Sequence, residues 1–321
     1  MQCRDAENSL ETSLDGLSKA EWKQRLIAQA DANGMSQLLG DRHFATFIDQ
    51  NSTLLVTFET VQGIRALSET AQPFGFQMVE AQGWSHLCLI SDGDTWFRDH
   101  RVYGFFDQLV DDGFFEDFDR VIFYGAGPCG YAAAAFSVAA PGATVVAIQP
   151  QATLDPRMTE WDDRFPEMRR TSFTDRYGYA PDMLDAAGQA FILYDPAQEL
   201  DAMHATLFER PNVTRLRMRH MGSALQTSML EMRILYRTIV MAGKNRLNER
   251  SFYQLYRARR DNIAYLRGLA DLLESRDRPY LTAVLCKNVI SRINARHFRR
   301  RLRGLQKRAD AGEFTMPPNG D

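Results

Sequence analysis

The sequence predicts an α/β protein with a doubly wound, mostly parallel sheet and a helical C-terminal extension. Apolar runs rich in β-branched residues alternate with helical patterns from about residue 43 to residue 220. Such alternation is typical of parallel strands that are covered by helices on both faces. After Gly222, proline disappears and glycine becomes rare until Pro279, while apolar residues recur at helical spacing. We therefore predict a tail and short helix over residues 1–40, a sheet domain over 41–222, and a basic helical extension over 223–321.

The first predicted elements are one helix and two strands. Trp22, Leu26 and Ile27 stand at helical spacing before an Asn-Gly stop signal, which predicts a helix over residues 21–32. Residues 43–48 and 53–58 are apolar runs separated by a polar turn sequence. This pattern predicts a β-hairpin at the start of the sheet.

Strands and helices then alternate. The predicted strands are residues 85–90, 120–124, 143–148, 190–194 and 213–216. One predicted helix covers residues 102–109. A second follows the strand at residues 120–124 and ends at residue 139, and a third covers residues 198–208. Residues 152–189 are polar and rich in arginine and aromatic side chains, which we interpret as an insertion over the carboxyl edge of the sheet. Amphipathic patterns over residues 249–275 and 280–307 predict two long C-terminal helices.

The most informative motif is a glycine-rich turn between a strand and a helix. It reads Tyr124-Gly125-Ala126-Gly127-Pro128-Cys129-Gly130-Tyr131-Ala132-Ala133. An apolar strand runs through this turn directly into an alanine-rich helix, which is the setting of a nucleophile elbow. The chain resembles the α/β-hydrolase superfamily here, above all bacterial members that read Tyr-Gly-Ser-Ser-Met-Gly-Gly-Tyr-Ala-Ala. The resemblance implies an α/β-hydrolase-type sheet over about residues 43–220.

The elbow lacks two groups that the family uses for catalysis. Aligned without a gap, Gly127 takes the position of the nucleophile, and glycine has no side chain that could attack. Pro128 takes the next position, whose backbone N–H serves as an oxyanion donor in the family, and proline has no N–H. Loss of one such donor typically costs about 10²–10³ in rate. The resemblance therefore implies a hydrolase-derived elbow without serine-hydrolase chemistry.

The other two positions of a hydrolase triad are occupied. The family's order along the chain is nucleophile, acid, base. Asp195 ends a predicted strand where the acid belongs, and His220 follows the last predicted strand where the base belongs. Asp195 also fits an ordinary strand-to-helix turn, and His220 also fits a solvated loop. Both interpretations stay open for each residue.

Cys129 is the candidate substitute nucleophile. A thiolate at a helix N-terminus has a lowered pKa and is strongly nucleophilic. Cys129 nevertheless lies two residues beyond the elbow apex, where relatives use glycine for close helix packing, and a small buried thiol also serves there. The leading hypothesis is a catalytically degenerate binding or scaffolding protein. The alternative is an active esterase, thioesterase or acyltransferase that uses Cys129 with His220 and Asp195.

No cofactor or metal is expected. The elbow also fits the dinucleotide-binding pattern G-x-G-x-x-G, but it lies on a middle strand and Pro128 removes a donor that a pyrophosphate needs. The cysteines Cys3, Cys88, Cys129 and Cys286 are too far apart for a zinc-ligand motif. The N-terminus lacks the basic-then-apolar order of a secretory signal, so we expect free thiols and a cytoplasmic protein.

A ligand pocket is predicted near the carboxyl edge of the sheet. Asp92, Asp94 and Trp96 follow a strand there, where ligand-binding loops gather in open α/β folds. Trp161 of the predicted insertion is a further candidate. A plain turn is the alternative interpretation of residues 92–94.

Charge is distributed unevenly along the chain. Residues 215–310 contain 23 Lys/Arg and 7 Asp/Glu, although the whole chain has a net charge of −3. The basic segment is expected to dock on the acidic remainder of its own or another chain. We expect a small-molecule or protein partner, and homo-oligomerisation through the C-terminal helices is one form that this association can take. We expect no membrane span and no nucleic-acid partner.

Overall fold

The computed structural model describes residues 9–318, and its centre is one twisted sheet. Within these residues eight strands pair in the order β1-β2-β4-β3-β5-β6-β7-β8. β2 runs antiparallel to both of its neighbours, and all other pairs are parallel. The strands are β1 (Gly34–Leu39), β2 (His43–Ile48), β3 (Thr53–Thr60), β4 (Ser85–Ser91), β5 (Arg120–Ala126), β6 (Thr144–Ile148), β7 (Gln189–Tyr194) and β8 (Val213–Arg217).

The predicted hairpin between β2 and β3 is wrong. β4 lies between these strands, because both edges of β3 are taken by the parallel partners β4 and β5. The hairpin that does form joins β1 to β2 through a short turn at Gly40, whose φ of 80° suits glycine. β1 was not predicted as a strand, and it lies in the segment for which only a tail and a helix were expected.

Helices cover both faces of the sheet, as the alternation predicts. α1 (Lys19–Asn33), α2 (Val61–Leu67) and α3 (Phe74–Gln82) pack on one face, where α9 (Leu225–Glu231), α10 (Leu235–Gly243) and α11 (Glu249–Leu255) extend the layer. α4 (His100–Asp111), α5 (Pro128–Phe136) and α8 (Glu199–Leu207) pack on the other face. The chain therefore has a doubly wound α/β fold of α/β-hydrolase type.

Residues 152–189 contain little regular structure. Their described elements are α6 (Pro156–Thr159), α7 (Ala180–Met183) and two short 3-10 turns. Phe173, Tyr177 and Ala180 are buried in the same core as α4 and α5. The insertion is thus fastened to the sheet domain by apolar packing.

The C-terminal extension is helical, but the two long helices predicted there are divided. The first region consists of α11 and α12 (Ile263–Ser275), and the second of α13 (Pro279–Arg292) and α14 (Arg296–Asp310). Asn262 causes one break, because its side chain accepts a hydrogen bond from the N–H of Tyr265 and starts a new helix. α12, α13 and α14 share a hydrophobic core separate from those of the sheet domain.

Candidate functional site

The glycine-rich turn between β5 and α5, which we call the elbow, has an unusual backbone conformation. Gly127 connects β5 to α5 with φ 57° and ψ −125°, a conformation that is strained for residues other than glycine. Its N–H donates to the Ile148 carbonyl oxygen at 2.8 Å, which fixes the turn against β6. A Cβ atom built on Gly127 would have no atom within 4 Å. The turn therefore lifts its apex into open space, and Gly127 leaves that space without a reactive group.

The flanking glycines allow α5 to lie close to the sheet. A Cβ atom on Gly125 would stand 2.1 Å from the Cys129 carbonyl oxygen, and one on Gly130 would stand 3.0 Å from the Ile148 carbonyl oxygen. Side chains at these positions would push the helix away from the strands. The small residues of the motif thus serve the packing of the elbow, whatever its present chemistry.

A cavity of about 150 Å³ adjoins the elbow. It opens between the end of β3, the helices α2 and α3, the elbow, and α9 of the C-terminal extension. Its apolar walls are interrupted by a few carboxyl and amide groups. The lining residues are Phe58, Glu59, Thr60, Gly63, Ile64, Leu67, Ser68, Gln72, Phe74, Gln77, Asp94, Ala126, Pro128, Cys129, Gln226 and Leu230.

Glu59 is the functional candidate that sequence reasoning missed. Its carboxyl oxygens accept hydrogen bonds from the N–H of Phe74, both at 3.1 Å, and from the Thr57 hydroxyl at 2.9 Å. Burial raises the pKa of Glu59, although these hydrogen bonds oppose the shift. The signal available in the sequence was an acidic residue at the end of an apolar strand.

Glu59 lies at the end of β3, close to the turn at Gly127. In α/β-hydrolases the connection after β3 supplies the second oxyanion donor. In this chain α2 begins immediately after β3, and the Thr60 side chain accepts from the N–H of Gly63. The carboxyl group of Glu59 and the elbow residues Pro128 and Cys129 line the same cavity. An ionised carboxylate there would repel a developing oxyanion instead of stabilising it.

Cys129 lies in the cavity wall but is only 7% exposed. Burial raises the pKa of its thiol well above the usual range, and the charge of Glu59 raises it further. A reactive cysteine needs the opposite shift, because the thiolate is the nucleophile. This environment favours the packing interpretation of Cys129.

Asp195 and His220 are neighbours, but their contact is not that of a catalytic pair. The Asp195 carboxylate is fully buried and accepts from the backbone N–H groups of Ala197, His220 and Gly222, at 2.8, 3.0 and 2.8 Å. Within residues 9–318 no hydrogen bond joins the His220 imidazole to Asp195. His220 has φ 64° in the turn that Asp195 organises. The contact therefore supports the turn interpretation of Asp195.

The four predicted pocket residues do not form one site. Asp94 lines the elbow cavity. Asp92 instead pairs with Lys19 at 2.6 Å, and the buried Trp96 donates to the Gln151 side chain at 3.2 Å. Trp161 packs against the His204 ring, with 4.6 Å between ring centroids.

A second polar cluster fastens the insertion to α8. His204 Nδ1 accepts from the N–H of Ala152 at 3.1 Å, so Nε2 carries the proton and donates to Asp162 at 2.8 Å. Arg164 bridges Asp162 and Asp201 at 2.8 and 2.6 Å. Burial lowers the pKa of His204 despite the adjacent Asp162. These residues were not singled out from the sequence, because they come together only in the folded chain.

Within the described residues, one group of side chains has the kinds of ligand atom that bind metal ions. Ligand atoms of Glu59, His86 and Cys88 lie within 4.8 Å of one another. The Thr57 hydroxyl bonds both His86 Nε2 and Glu59, each at 2.9 Å, and Cys88 Sγ donates to Glu59 at 3.5 Å. Burial lowers the pKa of His86 to about 3 and raises that of Cys88. These hydrogen bonds join the three side chains to one another, whereas the buried His86 Nδ1 has no partner among the described residues.

No family model and no curated protein matches the chain. Among solved structures it is similar to the thermostable carboxylesterase EstE1 from a metagenomic library, with 11% identity over 71% of this chain and 96% of that one and a TM-score of 0.43. It is similar to the hyperthermophilic esterase of the archaeon Pyrobaculum calidifontis, with 14% identity over 78% of this chain and 97% of that one and a TM-score of 0.39. It is also similar to the capsule O-acetyltransferase of Neisseria meningitidis serogroup A, with 10% identity over 61% of this chain and 91% of that one and a TM-score of 0.36. In the described part of the chain, no helix combines the length and hydropathy that a membrane span requires.

Proposed function

We propose that this protein is a catalytically degenerate α/β-hydrolase-like protein that binds a small ligand in the elbow cavity. One observation carries the proposal. The Gly127 turn keeps an elbow conformation with open space at its apex, but it carries no nucleophile. The neighbouring Pro128 has no N–H, and the Glu59 carboxyl group faces the cavity beside it.

The cavity suggests the chemical class of the ligand. A volume of about 150 Å³ suits a molecule of about the size of benzene. Ile64, Phe74 and Leu230 provide apolar walls. The side-chain amides of Gln77 and Gln226 line the same cavity and can donate a hydrogen bond. We therefore propose a compact, uncharged ligand that carries one carbonyl oxygen.

Ligand binding is tested with cyclopentanone as the probe, by saturation-transfer NMR. We expect saturation transfer to the probe with the wild type and no transfer with Leu230→Trp, which fills the cavity. The matched control is Leu38→Trp, because Leu38 is 63% exposed on the edge strand β1, outside the cavity lining. Equal transfer with all three proteins would reject the cavity as the binding site.

The cysteine-enzyme alternative is tested separately. We expect no hydrolysis of p-nitrophenyl acetate or of an activated acetyl thioester above the background rate. Thioester hydrolysis by the wild type that is lost in Cys129→Ala would replace the binding-protein proposal with an enzyme using Cys129.

Two further parts of the proposal concern the protein's context. A cytoplasmic location follows from the expectation of free thiols, and cell fractionation measures it. Self-association through the C-terminal helices stays a prediction, and sedimentation at several protein concentrations measures it.

A further inference from the structure

We infer that α12, α13 and α14 form a nucleic-acid-binding module, in which α14 presents an arginine-rich face to the phosphate backbone of a duplex. This inference is independent of the elbow cavity. It concerns a partner class that the sequence alone disfavoured, and it rests on how the basic residues are arranged in the folded chain.

The three helices pack on one another. Their apolar side chains form a core of their own, to which α14 contributes Phe298 and Leu305. α13 ends at Arg292 and α14 begins at Arg296, so that a turn of three residues joins them. Two helices joined by such a turn are the basis of helix-turn-helix modules, in which the second helix contacts the duplex.

The basic residues of α14 fall into two groups. Arg301 pairs with Asp271 and Glu274 of α12 at 2.6 and 2.9 Å, and Arg308 pairs with Glu313 at 2.6 Å. These pairs hold the module together, and none of them connects α14 to the acidic sheet domain. The expected docking of this helix on the acidic part of its own chain therefore finds no support in these contacts.

The second group forms a continuous exposed face. Its side chains lie within about 100° of arc on the helix, opposite Phe298 and Leu305. All are exposed, and within residues 9–318 none of these side chains has a hydrogen bond or ion pair. We call this group the basic face, and it consists of Arg296, Arg299, Arg300, Arg303 and Lys307.

The chemistry of the basic face favours phosphate. Four of its five members are arginines, whose planar guanidinium groups bind phosphate oxygens in a bidentate manner. α14 has 15 residues and is about 22 Å long, and the major groove of B-form DNA is wide enough to admit a helix. Guanidinium and ammonium groups bind phosphate oxygens whatever the base sequence, so we expect contacts that are mainly to the backbone.

Two other occupants are less well supported. A membrane-surface helix needs an apolar face for the lipid, but Phe298 and Leu305 of α14 are buried in the module. A second copy could offer acidic side chains, but exposed ion pairs contribute little individually and must offset the entropy lost on association. A duplex instead releases condensed counterions when arginines neutralise its phosphates, which favours binding.

The experiment measures fluorescence anisotropy of labelled DNA and RNA duplexes of about 20 base pairs with the full-length protein. We expect micromolar binding at about 50 mM salt, with similar affinity for unrelated sequences. For four or five phosphate contacts, affinity should fall about 100-fold or more between about 50 and about 200 mM salt. Comparison of DNA with RNA identifies which duplex is preferred.

The test variant reverses three charges of the basic face, Arg299→Glu, Arg300→Glu and Arg303→Glu. The control reverses three exposed arginines elsewhere, Arg169→Glu, Arg170→Glu and Arg219→Glu, so that both proteins have the same net charge. We expect the test variant to lose at least tenfold in affinity and the control to lose much less. Circular dichroism checks that both variants are folded.

Three results would overturn the inference. The first is absence of duplex binding by the wild type at low salt, and the second is equal loss of affinity in both variants. The third is salt-sensitive self-association, measured by sedimentation, that the test variant abolishes while duplex binding is unchanged. Binding to phosphatidylserine vesicles but to neither duplex would assign the basic face to a membrane surface instead.

Discussion

The carboxylate of Asp195 accepts a hydrogen bond from the backbone N–H of His220 at 3.0 Å, while no hydrogen bond joins it to the imidazole ring in the described part of the chain. A catalytic acid would bind the ring and orient it. Asp195 instead uses both oxygens to hold the backbone after β8, through His220 and Gly222. The chain order of a triad is present, but this contact is structural.

This contact predicts different effects for the two residues. Asp195→Ala leaves three partly buried backbone N–H groups without their acceptor, and a group of this kind costs about 1–3 kcal/mol where water cannot reach it. We expect a loss of about 3 kcal/mol or more in the free energy of unfolding, measured with urea. His220→Asn keeps the backbone contact and tolerates the positive φ, so it should change stability by about 0.5 kcal/mol or less. Comparable losses in both variants would contradict this assignment.

The elbow glycines should differ in their tolerance of a side chain. Gly127→Ala places its Cβ in open space and should cost about 1–3 kcal/mol, from the strained backbone conformation alone. Gly125→Ala places its Cβ 2.1 Å from the Cys129 carbonyl oxygen and forces α5 to move. We expect a clearly larger loss there, measured by urea unfolding of both variants. A Gly127→Ala variant at least as damaging as Gly125→Ala would contradict the described turn.

Restoring a hydroxyl at the apex should not restore an enzyme. Gly127→Ser has room for its side chain, but no imidazole is oriented toward the apex by Asp195, and Pro128 still lacks a donor. We expect the folded variant to stay unlabelled by a fluorophosphonate probe, as judged by intact mass. Stoichiometric labelling of Ser at this position would show that a competent base lies within reach.

Buried histidines should make the protein sensitive to acid. Burial lowers the pKa of His43 to about 4 and that of His86 to about 3, and it also lowers the pKa of His204. As the pH falls, these histidines take up protons in the unfolded chain before they do so in the folded chain. The stability that the neutral rings contribute is therefore complete above pH 6.5 and is lost as the pH falls from 6.5 toward their pKa values in the folded chain. His43 alone should contribute a loss on the order of 3 kcal/mol. Urea unfolding between pH 7 and pH 4 measures the free energy of unfolding, and a value that does not change with pH would contradict the neutral state of these rings.

Glu59 should have the opposite pH dependence. Its pKa is raised in the folded chain, so its contribution to stability is present below pH 4.5 and is lost as the pH rises through the folded pKa. Glu59→Gln does not ionise. We therefore expect the stability of Glu59→Gln relative to the wild type to increase with pH, as measured by urea unfolding. A difference that stays constant with pH would mean that Glu59 has an ordinary pKa.

The sequence by itself predicted seven of the eight described strands and the glycine-rich turn between β5 and α5, but not β1 or the helices α2, α3, α9 and α10. Local chemistry carries this information, because the alternation of apolar runs marks strands, and small residues at Gly125, Gly127 and Gly130 mark a tight strand-to-helix turn. The same local information was insufficient for strand pairing. Two apolar runs joined by a turn predicted a hairpin, whereas β4 lies between β2 and β3.

Only the tertiary structure decided what surrounds the elbow and how the basic residues are used. Glu59, Asp94 and Leu230 are far apart in the sequence and meet in one cavity because β3, β4 and α9 converge there. Local sequence gives no sign of such distant contacts. The charge of α14 was visible in the sequence, but its division into paired arginines and an exposed basic face depends on which acidic residues the fold of α12 places within reach.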